Sequence, residues 1–248
     1  MLFRSAQRIP GLRIVGEYLV PIDFTLVARE GTGLEDVRVI AAHPVAYAQC
    51  RGWLESHLPS HSHVPAASNV AAALDLDAGI AQAAIAPPTI RDRVSGLTML
   101  AEHIGDIPNA VTRFVLVGRV GPLPDATGAD KTSLIVELPV DRPGALLELL
   151  EQFSTRGVNL SLLQSRPIGD ALGRYRFVID ADGHATDERV ADALLGVRRF
   201  SPRVVFLGSY PRADRVPVAY DLHYDDDVYR EARDWLRALV SGEPVDPD

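Results

Sequence analysis

Arg142-Pro143-Gly144-Ala145-Leu146-Leu147 opens the stretch that decides the fold of the second half of this chain. From Gly144 to Thr155 the apolar residues Ala145, Leu146, Leu149, Leu150 and Phe153 recur at three- and four-residue spacing, which predicts an amphipathic helix. A strand-like run, Thr132 to Leu138, precedes it. Asn159 to Gln164 and Arg174 to Ala181 follow as further strands, with Tyr175, Phe177 and Ile179 alternating in the second. A helix over Asp187 to Leu195 and a strand over Val204 to Leu207 complete the order βαββαβ, a ferredoxin-like pattern with two helices on one sheet face.

Toward the N-terminus, Gly118 to Lys131 contains Gly121, Pro122, Pro124, Asp125 and Gly128 with little apolar content, so residues 119–130 read as a linker. Before it, residues 12 to 118 read as a small α/β lobe. Leu12 to Ala28 is extended, and Val37 to Ala42 is a buried strand that turns at His43-Pro44 into a helix bearing Val45, Ala48, Cys50 and Trp53. Val64 to Ala67 makes a short strand, Ser68 or Asn69 caps a helix over Val70 to Ala78, and Ala83 to Ala86 is a strand. Leu97 to Ile104 crosses over, and Thr112 to Gly118 is the last strand. After the ferredoxin-like segment, residues 131–212, the tail 213–248 carries Val228, Ala232, Trp235, Leu236 and Leu239 at helical spacing behind Asp225-Asp226-Asp227, whose charges suit a helix N-terminus. This amphipathic helix either docks on its own subunit or forms part of a dimer contact.

The 248 residues are 47% hydrophobic and 23% charged, enough to pack one or two domains. A formal net charge of -8 disfavours nucleic acid and anionic membrane as partners. No apolar run nears the roughly 20 residues that span a bilayer. One cysteine, Cys50, cannot form an internal disulfide, and no charged-then-apolar secretory signal is visible, which together suit a cytoplasmic protein. Leu2-Phe3-Arg4-Ser5 is also what one frame of a common sequencing adapter encodes, so these residues are expected to lie outside the fold.

Three segments in order carry a family resemblance. Asn109-Ala110-Val111-Thr112-Arg113-Phe114 is similar to the asparagine-x-x-threonine-arginine-phenylalanine signature of prephenate dehydratases. Arg142 to Leu147 resembles the glycine-alanine-leucine-leucine motif of the ACT regulatory domain in those enzymes, and Gln164-Ser165-Arg166-Pro167 resembles their glutamate-serine-arginine-proline motif with an amide for the carboxylate. Ala42 to Cys50 resembles the family's histidine-proline stretch, with Ala42 and Val45 where the family has serine and glutamine; Asn69 follows Ser68 where it has serine-threonine. The resemblance covers residues 12 to about 212. It implies an α/β protein: a partial two-lobed, periplasmic-binding-protein-like catalytic domain over residues 1–118, then a ferredoxin-like ACT domain. The family's opening segment, with its glycine-proline-x-glycine-threonine loop, has no counterpart here. Half of the first catalytic lobe is therefore expected to be missing, with little or no turnover from the chain as it stands.

The resemblance also implies a reaction, the decarboxylative dehydration of prephenate to phenylpyruvate, with no cofactor, feedback by L-phenylalanine, and a homodimer or homotetramer. Such chemistry asks for groups that hold two carboxylates and stabilise a departing hydroxide. By the motif, Thr112 is the catalytic candidate, donating a hydrogen bond as the leaving oxygen gains charge. Arg113 either makes a charge-assisted contact or braces the site. Phe114 either lines the substrate site or packs its strand. Ser68 and Asn69 either receive a carboxylate at a helix N-terminus or cap it, and His43 either exchanges protons or is a satisfied structural histidine. The effector set is Gly144, Ala145, Leu146, Asn159, Gln164, Ser165 and Arg166, where Gln164 in place of glutamate weakens recognition of an ammonium group. The alternative is a glycine helix start and a strand end used for dimer packing. His57, His61 and His63 are interrupted by Pro59 and lack a cysteine or acidic companion, so no metal site is predicted, and Cys50 reads as packing. The rival reading is a phenylalanine-binding regulatory protein with a decayed catalytic lobe. A chorismate mutase activity would need a basic helical segment that is not seen.

Overall fold

The computed structural model describes residues 11–140, 142–168 and 175–242. The adapter-like Leu2 to Ser5 lies outside the described residues. In chain order the elements are β1 (Leu12–Pro21), β2 (Thr25–Arg29), β3 (Val39–Ala42), α1 (Pro44–Gln49), α2 (Arg51–His57), β4 (Ser62–Pro65), α3 (Asn69–Leu74), β5 (Ala83–Ala86), β6 (Leu97–Ala101) and β7 (Val111–Arg119). They continue with β8 (Asp130–Glu137), α4 (Ala145–Ser154), β9 (Leu160–Pro167), β10 (Tyr175–Asp182), α5 (Glu188–Phe200), β11 (Arg203–Pro211) and α6 (Asp226–Ser241). The chain divides into two compact units, Val20–Thr112 and Met1–Leu19 with Arg113–Asp248.

In the unit Val20–Thr112 a five-stranded sheet runs β4-β3-β5-β2-β6. β3 lies parallel to β4 and β5, and β2 antiparallel to β5 and β6. A sheet covered on both faces needs apolar residues at successive positions, and Ile40, Ala41, Ala42 and all four residues of β5 are fully buried. Leu26, Ile40 and Ile85 pack on Ala46, Cys50 and Leu54 of the α1–α2 side, whereas Val27, Ala41 and Ala84 meet Ala72 and Ala73 of α3. Three local expectations change. The helix expected through Cys50 is two helices, because the Asp106 carboxylate accepts the Gly52 and Trp53 amides at 2.8 and 3.0 Å and starts α2 afresh. The helix expected to Ala78 ends at Leu74. Leu97 to Ile104 begins with a sheet strand, β6, paired with β2.

The other unit is built on a four-stranded antiparallel sheet, β11-β8-β10-β9, with the ferredoxin-like order read from the sequence. Alternation separates two faces. Leu134, Val136, Phe177 and Ile179 pack under Leu149, Phe153, Val190 and Val197 of the two helices. Ile135, Val178, Leu207 and Tyr210 face the opposite way, where Ile14 of β1 and Val115 of β7 cover them. β1 and β7 pair as a two-stranded sheet. Ile14 of β1 and Val115 of β7 thus pack with the ferredoxin-like sheet, and the compact units divide between Leu19 and Val20 and between Thr112 and Arg113. β1 crosses β11 closely at Gly208, whose φ is +150° and where a Cβ would collide with the Ile14 carbonyl.

The tail docks on its own chain through polar groups. Asp226 accepts the Glu188 amide at 2.8 Å, Arg233 pairs with Glu188, and the Tyr220 ring lies 4.2 Å from the buried guanidinium of Arg189. The apolar stripe of α6, Trp235, Leu236 and Leu239, is exposed. No described helix is long and apolar enough to cross a membrane.

Candidate functional site

β3 and β4 end side by side, the Ala66 amide donating to the Ala42 carbonyl at 2.9 Å, and each strand hands over to a helix start. His43 follows β3 and caps α1: its Nδ1 accepts the Val45 amide at 3.2 Å, and Pro44 fills the first helical position, where no amide hydrogen is needed. The neutral ring then carries its proton on Nε2. Ser68 caps α3, its Oγ accepting the Ala71 amide at 3.0 Å while the hydroxyl hydrogen stays available. The Asn69 Oδ1 is buried and has no hydrogen-bond partner among the described residues.

Thr112 approaches the same edge. The Ile22 amide donates to the Ala110 carbonyl at 2.8 Å, which ties the start of β7 to the segment entering β2, and Thr25 of β2 pairs with Ala86 at the end of β5. His43, Ser68, Asn69 and the segment leading into Thr112 therefore share the carboxyl edge of the parallel strands, where open α/β sheets bind ligands. β3 and β2 lie two strands apart, roughly 10 Å. Beside this edge a cavity of about 440 Å³ is lined by Pro21, Asp23, His103, Ile107, Asn109 and Val111, among others. His103 Nδ1 is 2.8 Å from Asp23 Oδ2, and His103 and Asn109 hold left-handed φ angles of 53° and 63°, uncommon for residues with a Cβ. No sequence motif pointed to the His103–Asp23 pair.

Arg113 turns to the ferredoxin-like sheet. Its Nε donates to Glu17, its Nη1 to Asp180 and its Nη2 to the Tyr210 hydroxyl, each at 2.5 Å. Ser133 donates to the second oxygen of Asp180 and bonds the Tyr210 hydroxyl at 2.6 Å. Lys131 meets Glu17 at 3.2 Å, and the Ala213 amide donates to Glu17 at 3.0 Å. Two cations thus face two buried carboxylates, the arrangement that makes buried charge tolerable. Burial alone would raise the Glu17 carboxyl, but the Ala213 amide and the Arg113 and Lys131 cations outweigh it and hold it below its ordinary value. Burial, then Asp180, pushes the Tyr210 phenol well up. Of the two roles given for Arg113, bracing fits this geometry. Phe114 is 54% exposed rather than packed, because β7 pairs with β1 in a ribbon with one face on the sheet and Phe114 points away from it.

Glu17, Lys131, Ser133, Asp180 and Tyr210 were not anticipated. The available signal was Asp180 itself, an acid inside the apolar strand Phe177 to Ala181, out of phase with Phe177 and Ile179 and so on the other face.

In the same unit, Gly144 caps α4 at φ +84°, a left-handed conformation with open space around its α-carbon; Ala145 is buried and Leu146 is 36% exposed. Arg176 of β10 pairs with both Glu137 and Arg166, so the ends of β8 and β9 coincide and bring Gln164, Ser165 and Arg166 to the end of the sheet from which α4 starts. Arg166 donates to Gln164 Oε1 at 3.1 Å. Asn159 lies at the other end of β9, roughly 17 Å away along the strand, and its amide donates to Asp182 at 2.7 Å. A single chain gathers six of the seven expected effector residues and separates the seventh.

The histidine cluster is satisfied piecemeal. His57 bonds the Trp53 carbonyl at 2.9 Å, His61 the Leu58 carbonyl at 2.6 Å and the Tyr47 hydroxyl at 2.9 Å, and His63 the Ala42 carbonyl at 3.0 Å. Among the described residues no group of three or more His, Cys, Asp or Glu side chains forms a metal-ligand set. Cys50 is buried, and burial, with Asp106 and Asp23 adding, pushes its thiol up to about 12.

A sheet with helix starts at its carboxyl edge is the architecture of α/β proteins that bind small molecules, here in one chain with a ferredoxin-like domain. The prephenate dehydratase family profile matches residues 2–121 and the ACT domain profile residues 132–199. A prephenate dehydratase of Mycolicibacterium vanbaalenii is 43% identical over 233 residues, 94% of this chain and 72% of the relative. Among solved structures, prephenate dehydratase from Arthrobacter aurescens in complex with L-Phe superposes with a TM-score of 0.86 at 51% identity, covering 97% of this chain and 79% of that one. This chain belongs to the prephenate dehydratase family and carries its ACT domain. The architecture is also shared, at a TM-score of 0.68 and 30% identity over 82% of this chain and 73% of the other, with GqqA, described as a novel type of quorum quenching acylase. Fold alone does not fix the reaction.

Proposed function

We propose that the chain acts in the cytoplasm as a prephenate dehydratase, converting prephenate to phenylpyruvate under feedback by L-phenylalanine bound at its ACT domain. The observation that carries this reading is the threonine-arginine-phenylalanine motif entering β7 at the sheet edge that also holds the His43 and Ser68 helix starts. In the reaction the bond to the ring carboxylate breaks and carbon dioxide leaves, the freed electron pair makes the ring aromatic, and hydroxide departs from the opposite ring carbon, taking up one proton from solvent to leave as water. Thr112 donates to that departing oxygen. Ser68 and Asn69 receive a carboxylate, and the Nε2 proton of His43 is available to the same anion. Arg113 serves as the brace of the strand.

Effector binding is assigned to Gly144, Ala145 and Leu146 with Gln164, Ser165 and Arg166. β9 is an edge strand, and two such edges paired antiparallel about a two-fold axis between Ser161 and Leu162 would bring Asn159 of one protomer alongside Gln164 of its partner. That supports a homodimer, or a homotetramer made of two, with the effector between subunits.

The test is prephenate turnover with and without L-phenylalanine, comparing the chain, the chain extended to the full length of a relative, and Thr112→Ala in each. Turnover that falls on Thr112→Ala and is inhibited by L-phenylalanine supports the reading. A folded, extended chain that binds L-phenylalanine without converting prephenate would make the protein a regulatory sensor instead.

A further inference from the structure

We propose that Asp180, on the ACT sheet, is a positioning residue for this reaction: it acts on Thr112 through Arg113 and carries the state of the effector site to that threonine. The inference rests on the prephenate dehydratase reading given above. Thr112 and Arg113 are consecutive in β7, so the peptide that orients the threonine ends at the residue whose side chain the ACT sheet holds. Asp180 is 2% exposed and uses both oxygens, one on Arg113 Nη1 at 2.5 Å and one on Ser133. Charge-assisted bonds in a site shielded from water are short and directional. The grip on β7 is multiple as well, since Glu17 and Tyr210 take the other two guanidinium nitrogens.

The link reaches the effector residues through one strand pairing. β10, which carries Asp180, is hydrogen-bonded to β9, with Asp180 opposite Leu162 and Val178 opposite Gln164. A displacement of β9 at Gln164 to Arg166 is therefore passed to β10 two residues from Asp180. Moving Asp180 away from Arg113 would leave its buried carboxylate without its cation, which is strongly unfavourable. β7 follows instead, and Thr112 with it. This is a two-ended device in which both sites bias one packed element, the physical requirement for coupling.

The decisive comparison uses the full chain as wild type, Asp180→Asn and Arg113→Lys. Backbone hydrogen exchange is followed across residues 110–116, together with calorimetric binding of L-phenylalanine and turnover of prephenate. The asparagine keeps the size of Asp180 and a bond to Ser133 but loses the charge; Arg113→Lys keeps the charge but loses the fork, and replaces it should Asp180→Asn not fold. The expected result is exchange at 110–116 faster by about tenfold without effector, while the helices α4 and α5 keep their wild-type protection. kcat should fall by about tenfold with KM changed less than about twofold. L-Phenylalanine should bind with unchanged affinity but lose its effect on turnover. Wild-type exchange at 110–116 in a folded variant, or equal loosening throughout the chain, overturns the proposal. A chain extended to the full length of a relative that shows no turnover counts against the enzymatic reading, and the exchange comparison still decides whether Asp180 holds β7.

Discussion

Arg113 Nη1 and Asp180 Oδ2 lie 2.5 Å apart although 67 positions separate the residues in sequence. The contact joins strand β7 of the ribbon to strand β10 of the ACT sheet. Removing one partner of a buried pair leaves the other charge uncompensated. Arg113→Ala, which takes the cation from the buried Asp180 and leaves Glu17 with Lys131 alone, should lower unfolding stability by about 3–5 kcal/mol in urea titration. Arg113→Lys should lose less. Arg51→Ala, which breaks a surface pair with Glu55, should leave the midpoint unchanged.

The acid limb of stability should report Glu17. Its folded pKa is depressed below the ordinary 4.5, so the unfolded chain binds a proton before the folded one does. The stabilisation it contributes is therefore fully present above about pH 4.5 and is lost as pH falls through the lower folded value. Tm measured against pH should drop more steeply below pH 4.5 in the wild type than in Glu17→Gln, which starts lower and has less to lose. Parallel curves would show that Glu17 is not the group responsible.

Gly208 is required by two independent constraints, its φ of +150° and the Ile14 carbonyl that a Cβ would strike. Gly208→Ala should cost about 1–3 kcal/mol from the backbone conformation alone, with separation of β1 from β11 adding to it. Gly121→Ala, at a position with open space and no positive φ, is the matched control and should be neutral or slightly stabilising. Thermal melts of the two variants separate the outcomes.

Cys50 should behave as core. With its thiol buried and pushed up to about 12, it should resist a thiol-disulfide reagent at pH 8 in the native chain and react fully after denaturation. Rapid native labelling would mean that the α1–α2 junction opens readily.

Periodicity carried the ferredoxin-like unit because each of its elements obeys one local rule. The three-four spacing of α4 puts Leu149 and Phe153 in the core, and the alternation of β10 puts Phe177 and Ile179 under the helices, although its other face, with Val178 and Asp180, is buried too. The Ser68 cap was legible for the same reason, since capping is satisfied within a few residues, whereas the cap that His43 makes was not read. The division of helix at Cys50 was not, because it depends on Asp106, more than 50 positions further along.

By itself, then, the sequence determined the type of most elements, the face of the ferredoxin-like sheet that meets its helices, the Ser68 cap and, through the motifs at Thr112, Gly144 and Gln164, the family. Tertiary structure decided what those motifs touch. It turned Arg113 toward Asp180, set Asn159 at the far end of β9 from Gln164, and laid β1 and β7 over the second face of the ACT sheet. Local patterns record whether a side chain is buried. The partner of a buried charge is chosen by whichever distant strand the fold brings within hydrogen-bond reach, and the cost of leaving such a charge alone is what fixes that choice.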